Sequence, residues 1–327
     1  VIALTGPSGF VGSVVARAAT ERQIPVVPLV RQTGSGAMPE SGAAARVIGD
    51  LGVGPIDHSI LDDCSAVIHA AARAHRIGER GATALASYRR VNVAGTQALI
   101  EAMAQARTRR LIYVSSIKAL GERSFGSPLR PNDLPAPEDP YGISKAEAED
   151  VVHAAHREGR IEALIIRPVL VHGPGAKGNL DRLMRLVLRG FPPMVGTGVN
   201  RRSLVGISNL ADAILMAATA PMPTPRTATR APVYHICDDG VVSTRRLVEV
   251  IAEGLGVRPR FIPVPHKLTV AMAAMVGRRL VARRLFEDLE VDDSDFRHDF
   301  AWRPRLGLEE GLRVMAEDFA RRAKSGG

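Results

Sequence analysis

Tyr141 and Lys145 stand four residues apart in Asp139-Pro140-Tyr141-Gly-Ile-Ser-Lys145. Asp139 can cap a helix and Pro140 suits its first turn, which puts the phenol and the amine on one helical face. A free tyrosine ionises near pH 10. A neighbouring ammonium and a positive nicotinamide ring would both favour the phenolate. Such a phenol can give a proton to a ketone, or take one from a hydroxyl, as hydride moves from or to a nicotinamide. Proton transfer of this kind contributes about 10²–10⁴-fold in rate. Some 25 residues earlier, Leu111-Ile-Tyr-Val-Ser115-Ser116 reads as a strand delivering two serines to its carboxyl end. Ser116 would hydrogen-bond the reacting oxygen. The candidate catalytic set is Ser116, Tyr141 and Lys145.

The hydride needs a carrier. The strand-like run Val1–Thr5 is followed by Gly6-Pro-Ser-Gly9-Phe10-Val11-Gly12 and an apolar-periodic helix. Glycines so placed allow a tight turn, close approach of backbone to a pyrophosphate, and packing of helix on strand. The helix amino end offers free N–H groups to the anion. Gly6, Gly9, Phe10, Val11 and Gly12 are therefore expected to bind a dinucleotide. The next strand ends Pro28-Leu-Val30-Arg31, with no nearby acid in the sequence. Arginine there accommodates the 2′-phosphate of NADP, whereas an acid would bind the ribose of NAD. The reading leans to NADP and leaves NAD open. Asp50 and Leu51, after a third short strand, are expected to flank the adenine.

These residues need a scaffold. Val1–Thr5, Val26–Val30, Ala66–His69, Leu111–Ser115 and Ala163–Arg167 are short and continuously apolar, as in strands buried on both faces. Helical stretches near Val11–Glu21, Ala86–Ala106 and Pro140–Glu158 alternate with them. The pattern predicts an α/β fold, a Rossmann-type doubly wound parallel sheet with a smaller C-terminal substrate-binding region. The expected division is 1–173 for the dinucleotide-binding domain, with a return of 206–240 to it, and 174–205 with 241–327 for the substrate region. The Pro-rich connection Ser127–Pro140 is either a lid over a pocket or a plain surface loop.

The 327 residues include 43 basic and 34 acidic ones, for a net charge of +9, and only five of the basic residues are lysines. The arginines are scattered and aromatics amount to 4%, which argues against a nucleic-acid-binding surface. Cys64 and Cys237 form neither a disulfide framework nor a metal-ligand pattern, so no metal is expected. No apolar run reaches about 18 residues, so no span is expected, and a cytoplasmic protein is the default. Leu268–Leu285, apolar with two double-arginine clusters, reads as a packed helix or an interfacial one.

With Thr5-Gly6-Pro-Ser-Gly9-Phe-Val-Gly12 stand His69-Ala70-Ala71-Ala72, Asn92-Val-Ala-Gly95-Thr96, Ser115-Ser116, Tyr141-Gly-Ile-Ser-Lys145 and Arg167-Pro168. In this order the chain resembles the extended short-chain dehydrogenase/reductase family, within it the nucleotide-sugar epimerase/dehydratase group. The resemblance implies that Ala70, Ala71, Ala72 and Pro168 border the cofactor, that Asn92 lies near the active site, and that Lys145 also holds the nicotinamide ribose. It implies a nucleotide-sugar substrate, UDP-linked, and a homodimer built through the two long helices. Gly173-Pro-Gly-Ala-Lys177-Gly-Asn179-Leu180 is similar to the segment where UDP-galactose 4-epimerase types start a helix near the diphosphate, and Arg201-Arg202-Ser-Leu-Val205 to their phosphate-binding arginine segment. Lys177, Asn179, Leu180 and Arg202 are thus implied as substrate residues, with Arg284 as a further candidate. Asn179 as a simple helix cap and Arg201 as a solvated side chain are the plainer alternatives.

One departure narrows the chemistry. Sugar 4,6-dehydratases follow their strand-end residue with an Asp-Glu acid/base pair, and here the run is Ser116-Ile117-Lys118. Ser115-Ser116-Ile117-Lys118-Ala-Leu-Gly121-Glu122 looks instead like a bacterial subgroup with C4-ketoreductases of surface-polysaccharide synthesis, as does Ala72-Arg-Ala-His75, which implies that His75 faces the substrate, a partly exposed helix-start histidine being the plainer alternative. The expected activity is reduction of a UDP-4-keto-6-deoxy sugar at C4. The alternatives are a UDP-sugar 4-epimerase and, more remotely, a cofactor-sensing protein without catalysis.

Overall fold

Alternate residues of each central strand belong to different cores, which is why the strands read as unbroken apolar runs. A computed structural model describes the chain except residues 33–43, 75–78, 80, 191–193, 196–199, 224–229, 260, 264–286 and 326–327. The first half runs β1 (Ile2–Thr5), α1 (Phe10–Glu21), β2 (Val26–Val30), β3 (Arg46–Val47), β4 (Ala66–His69), α2 (Gly81–Tyr88), α3 (Gly95–Gln105), β5 (Arg110–Val114), α4 (Pro140–Arg157) and β6 (Glu162–Pro168). The second half runs β7 (Leu170–His172), α5 (Asn179–Leu188), β8 (Met194–Val195), β9 (Leu204–Gly206), α6 (Ile207–Thr219), β10 (Val233–Ile236), α7 (Thr244–Leu255), β11 (Ile262–Pro263), α8 (Ser294–Phe300) and α9 (Leu308–Ser325).

Seven strands form one sheet in the order β10-β6-β5-β4-β1-β2-β3, and every pairing in it is parallel. Ile2 and Leu4 of β1, Ile112 of β5 and Ile166 of β6 face a core completed by α1 and α6. Ala3, Leu111, Tyr113 and Ile165 face the opposite core, completed by α3 and α4. Helices on both faces make this the doubly wound Rossmann-type fold. The strand order reverses between β1 and β4, and a ligand crevice is expected beyond the carboxyl ends there.

After β6 the chain builds a smaller apolar cluster from Leu180, Met184, Val248, Ile251, Leu312, Met315 and Phe319 of α5, α7 and α9. The intervening α6 packs on α1, and β10 joins the large sheet beside β6. Two-stranded pairings link β7 to β9 and β8 to β11.

One expected element is divided. The stretch read as a single helix over Ala86–Ala106 is α2, a six-residue π-helical stretch over Arg89–Ala94, and α3. Insertions of this kind are frequent at functional sites, and this one carries Asn92. No helix among the described residues is long and apolar enough to cross a membrane.

Candidate active site

The turn after β1 is closed by Gly9 N–H donating to Gly6 O at 3.0 Å. Gly9 is the N-cap of α1 and has no side chain to cap it, so the helix's first amides are left for an anion. Gly12 tolerates no side chain: an added Cβ would lie 2.1 Å from Gly6 O. These features fit a dinucleotide's pyrophosphate. Gly12→Ala is expected to force the turn open at a cost of about 1–3 kcal/mol, weakening NAD(P) binding about tenfold or more. Fluorescence titration of NADPH checks this, and undiminished affinity would remove the turn from the cofactor site. Phe10 and Val11 are partly buried against different apolar clusters, so their backbone is what they can offer a ligand.

Arg31 is 73% exposed just past β2 and stands 3.6 Å from Asp50. Leu51 is buried. Ala70, Ala71 and Ala72, partly buried, leave β4 beside the turn. They are held by a chain of buried polar groups that the sequence reading did not find. Ala71 N–H donates to Thr5 Oγ1 at 3.0 Å, and Thr5 Oγ1 lies 2.7 Å from His69 Nδ1. His69 Nε2 reaches Thr96 Oγ1 at 3.0 Å, which donates to Asn92 O at 2.7 Å. Only the Nε2–H tautomer satisfies the whole chain. Burial, with the Lys145 charge, pushes His69 down to about 3, so it stays neutral. Asn92 itself accepts from Arg73 N at 2.7 Å and donates to Ser144 at 2.9 Å, tying the loop after β4 to α4.

Asp139 caps that helix by accepting from Gly142 N at 2.8 Å, with Pro140 in the first turn. Tyr141 is half-buried, its ring edge-on to Tyr88 with centroids 6.0 Å apart. Burial pushes its phenol up to about 12; a hydrogen bond with Ser116 pulls it down, and Asp139 and Tyr88 push it up. Ser116 Oγ already accepts from Lys118 N–H at 3.3 Å. Its own proton is therefore available to an oxygen, the phenol's or a substrate's.

Lys145 differs from the expectation that it lies against the phenol. It is fully buried, donates to Val114 O at 2.8 Å, and sits 4.2 Å from the centroid of the Tyr113 ring. Burial pushes it down to about 7, opposed by the Glu149 carboxylate one turn further along α4. The amine faces inward because a carbonyl and an aromatic face lie beneath it, so Ser116 is the direct partner that favours the Tyr141 phenolate.

A second unforeseen cluster supports this floor. Glu149 accepts from Ser115 Oγ and pairs with Arg167, Nη2 to Oε2 at 2.6 Å, with both charged side chains buried. Arg167 also donates to Pro131 O. The spacing of Lys145 and Glu149 on one helix face was the signal available in sequence. Pro168, buried, ends β6 beside this cluster.

The substrate residues are placed unevenly. Lys177 and Asn179 are exposed, and Gly178 caps α5 while Asn179 is its first residue. Leu180 packs its side chain in the C-terminal core at 3% exposure, so its backbone N–H in the first turn of α5 is what it can offer a ligand. Arg202 bridges Val242 and Leu289 through its backbone and donates to Glu287 O at 3.0 Å. Arg201 is engaged with Glu290 at 2.7 Å. His75, Arg284 and the stretch Leu268–Leu285 lie outside the described residues.

The model of the NAD dependent epimerase/dehydratase family matches residues 2–229. The chain belongs to that family. It is 35% identical over 321 residues to a UDP-glucose 4-epimerase of Vibrio cholerae, covering 97% of this chain and 95% of that protein. It is 28% identical over 342 residues to a 2-alkyl-3-oxoalkanoate reductase of Stenotrophomonas maltophilia, covering 98% and 99%. Among solved structures, MoeE5 in complex with UDP-glucuronic acid and NAD superposes with a TM-score of 0.76 at 28% identity, covering 98% of this chain and 99% of that one. The protein is thus an enzyme of the extended short-chain dehydrogenase type.

Proposed function

We propose that this epimerase-family enzyme acts at C4 of a UDP-linked sugar, reducing a 4-keto-6-deoxy sugar with a nicotinamide cofactor in surface-polysaccharide synthesis. The observation that carries the reading is the Tyr141–Ser116 hydrogen bond just beyond the carboxyl end of β5, on the sheet whose β1 leads into the glycine turn. The cofactor supplies the hydride when bound. Ser116 orients the substrate oxygen, Tyr141 gives it a proton, and Lys145, under the strand end, serves the cofactor's ribose.

Lys118 supports reduction over dehydration. Where a dehydratase needs a free acid/base pair, this chain has an ammonium engaged by Asp139 at 2.6 Å and Glu122 at 3.2 Å. Neither carboxylate is left to remove water from a sugar. Arg31, largely exposed, supports NADP, although Asp50 beside it offers an acid to the ribose of NAD. The Vibrio cholerae relative's name favours the second reading, a UDP-sugar 4-epimerase, which would keep its cofactor and return hydride to the same sugar.

Incubation with a UDP-4-keto-6-deoxy sugar separates the two. The reductase reading expects stoichiometric oxidation of NADPH and loss of cofactor on dialysis. Retained cofactor, no net NADPH consumption, and interconversion of UDP-glucose or UDP-GlcNAc with its C4 epimer would replace it with the epimerase reading.

A further inference from the structure

Lys118 contacts the catalytic apparatus in three ways. Its backbone N–H donates to Ser116 Oγ at 3.3 Å. Its carbonyl presses on the first turn of α4: a Cβ added at Gly142 would lie 2.5 Å from Lys118 O. Its ammonium donates to Asp139 Oδ2 at 2.6 Å while Asp139 Oδ1 caps α4 through Gly142 N. Glu122 Oε1 is the ammonium's second acceptor, at 3.2 Å. The side chains of Lys118, Glu122 and Asp139 are 21%, 8% and 11% exposed, so water screens these charges weakly.

The charged and titratable groups around Tyr141 come from four elements, β5 supplying the Tyr113 phenol. α2 supplies Tyr88, with the Arg73 guanidinium 5.3 Å from that ring's centroid. The turn after β5 supplies Ser116 and Lys118. α4 supplies Asp139 at its cap; Lys145, one turn on, is turned inward to Val114 O and the Tyr113 ring. Asp139 is the negative charge in this set that opposes ionisation of the phenol.

We propose that Lys118 is a positioning residue for proton transfer: it locks the Asp139 cap, and with it the first turn of α4, onto the Ser116 segment, and balances the charge of the Asp139 carboxylate. The inference rests on the reading of Tyr141 as the proton donor. It gives the lysine at this position a task distinct from the dehydratase chemistry that a carboxylate there would serve. With Lys118 uncharged, Asp139 and Glu122 are left as two buried carboxylates without their shared cation. The phenol then becomes a weaker acid and its distance to Ser116 is less tightly fixed. Arginine keeps the charge and can span both carboxylates.

The test uses the full chain loaded with NAD, comparing wild type, Lys118→Met and Lys118→Arg. The chain has four tyrosines, so 13Cζ-tyrosine NMR resolves their ionisation and Tyr141→Phe assigns the resonance. The Tyr141 midpoint is expected to rise by about half a pH unit to one unit in Lys118→Met and to return in Lys118→Arg. For sugar reduction, measured with NADPH as the hydride donor, kcat is expected to fall about tenfold with KM within about twofold, the pattern of an interaction made in the transition state. Lys118→Met/Glu122→Gln removes the excess negative charge and gives the same upward shift if the single variant does not fold. A midpoint in either variant that equals or falls below wild type overturns the proposal. Absence of sugar turnover in wild type would count against the proposed substrate, and the NMR result would still decide the role of Lys118.

Discussion

Tyr141→Phe lowers kcat for the keto-sugar by about 10²–10⁴-fold, the range associated with losing a positioned proton donor. The ring stays where it is, because its edge-on packing against Tyr88 involves no hydroxyl. Helix α4 keeps its Asp139 cap, and Ser116 keeps its bond from Lys118 N–H. Binding of NAD(P) is therefore expected to be unchanged, which assigns the loss to chemistry. The pH behaviour separates the two partners. In the ligand-free protein burial holds the phenol up at about 12, so Tyr141 is protonated and competent as an acid through the neutral range. Lys145, held down at about 7, is an ammonium below that pH and loses its charge as pH rises through it. Cofactor affinity is expected to weaken above about pH 7, by at most about tenfold per unit for a single ionisation, while the Tyr141 ionisation contributes nothing until far higher pH. Stopped-flow or steady-state measurements with keto-sugar and NADPH read the first effect, and NADPH titrations across pH 6–9 read the second. Turnover of Tyr141→Phe at the wild-type rate would sink the assignment, and a flat affinity profile would sink the lysine's role.

The large sheet was legible because a strand buried on both faces has one signature in sequence, an unbroken apolar run. β1, β2 and β4 fall where those runs stand, and β5 and β6 begin one residue before theirs. Ser115 and Ser116 lie just beyond β5, as a strand-end delivery requires. The glycine turn was legible for a steric reason, since the Gly6 carbonyl occupies the space of any side chain at position 12. The π-helical stretch was not, because one extra residue per turn over Arg89–Ala94 leaves the apolar pattern nearly unchanged. The Thr5–His69–Thr96 chain joins residues 64 and 27 positions apart, and local spacing carries no trace of such contacts. The burial of the Leu180 side chain was hidden for a related reason: a leucine in the first turn of a helix looks the same in sequence whether its side chain faces solvent or a core. The orientation of Lys145 depends on what lies beneath it, a carbonyl and an aromatic face from β5, which no helix-face argument supplies.

Removing the Glu149 carboxylate alone is expected to destabilise the fold by about 3–5 kcal/mol, because it strands a buried guanidinium. Arg167 and Glu149 are 3% and 4% exposed, joined at 2.6 Å, and water cannot enter to replace the lost partner. Glu149→Gln keeps the shape and can still accept from Ser115, so the loss reads the charge rather than a cavity. Replacing both members, Glu149→Met with Arg167→Met, leaves no ion unpaired and is expected to cost less than the single change. Urea unfolding measures this through the midpoint at unchanged slope. A single variant within about 1 kcal/mol of wild type would mean that the pair is solvated and adds little. The same two proteins test the link to the active site. Glu149 is the charge that favours the Lys145 ammonium against burial, so the Lys145 midpoint should fall below about 7 in both variants. The chain's five lysines make this resolvable by 13Cε-lysine NMR. If stability drops but the lysine midpoint stays, the cluster is a structural clamp between β5, β6 and α4. If both move, the carboxylate that holds the fold together also keeps the cofactor's lysine charged.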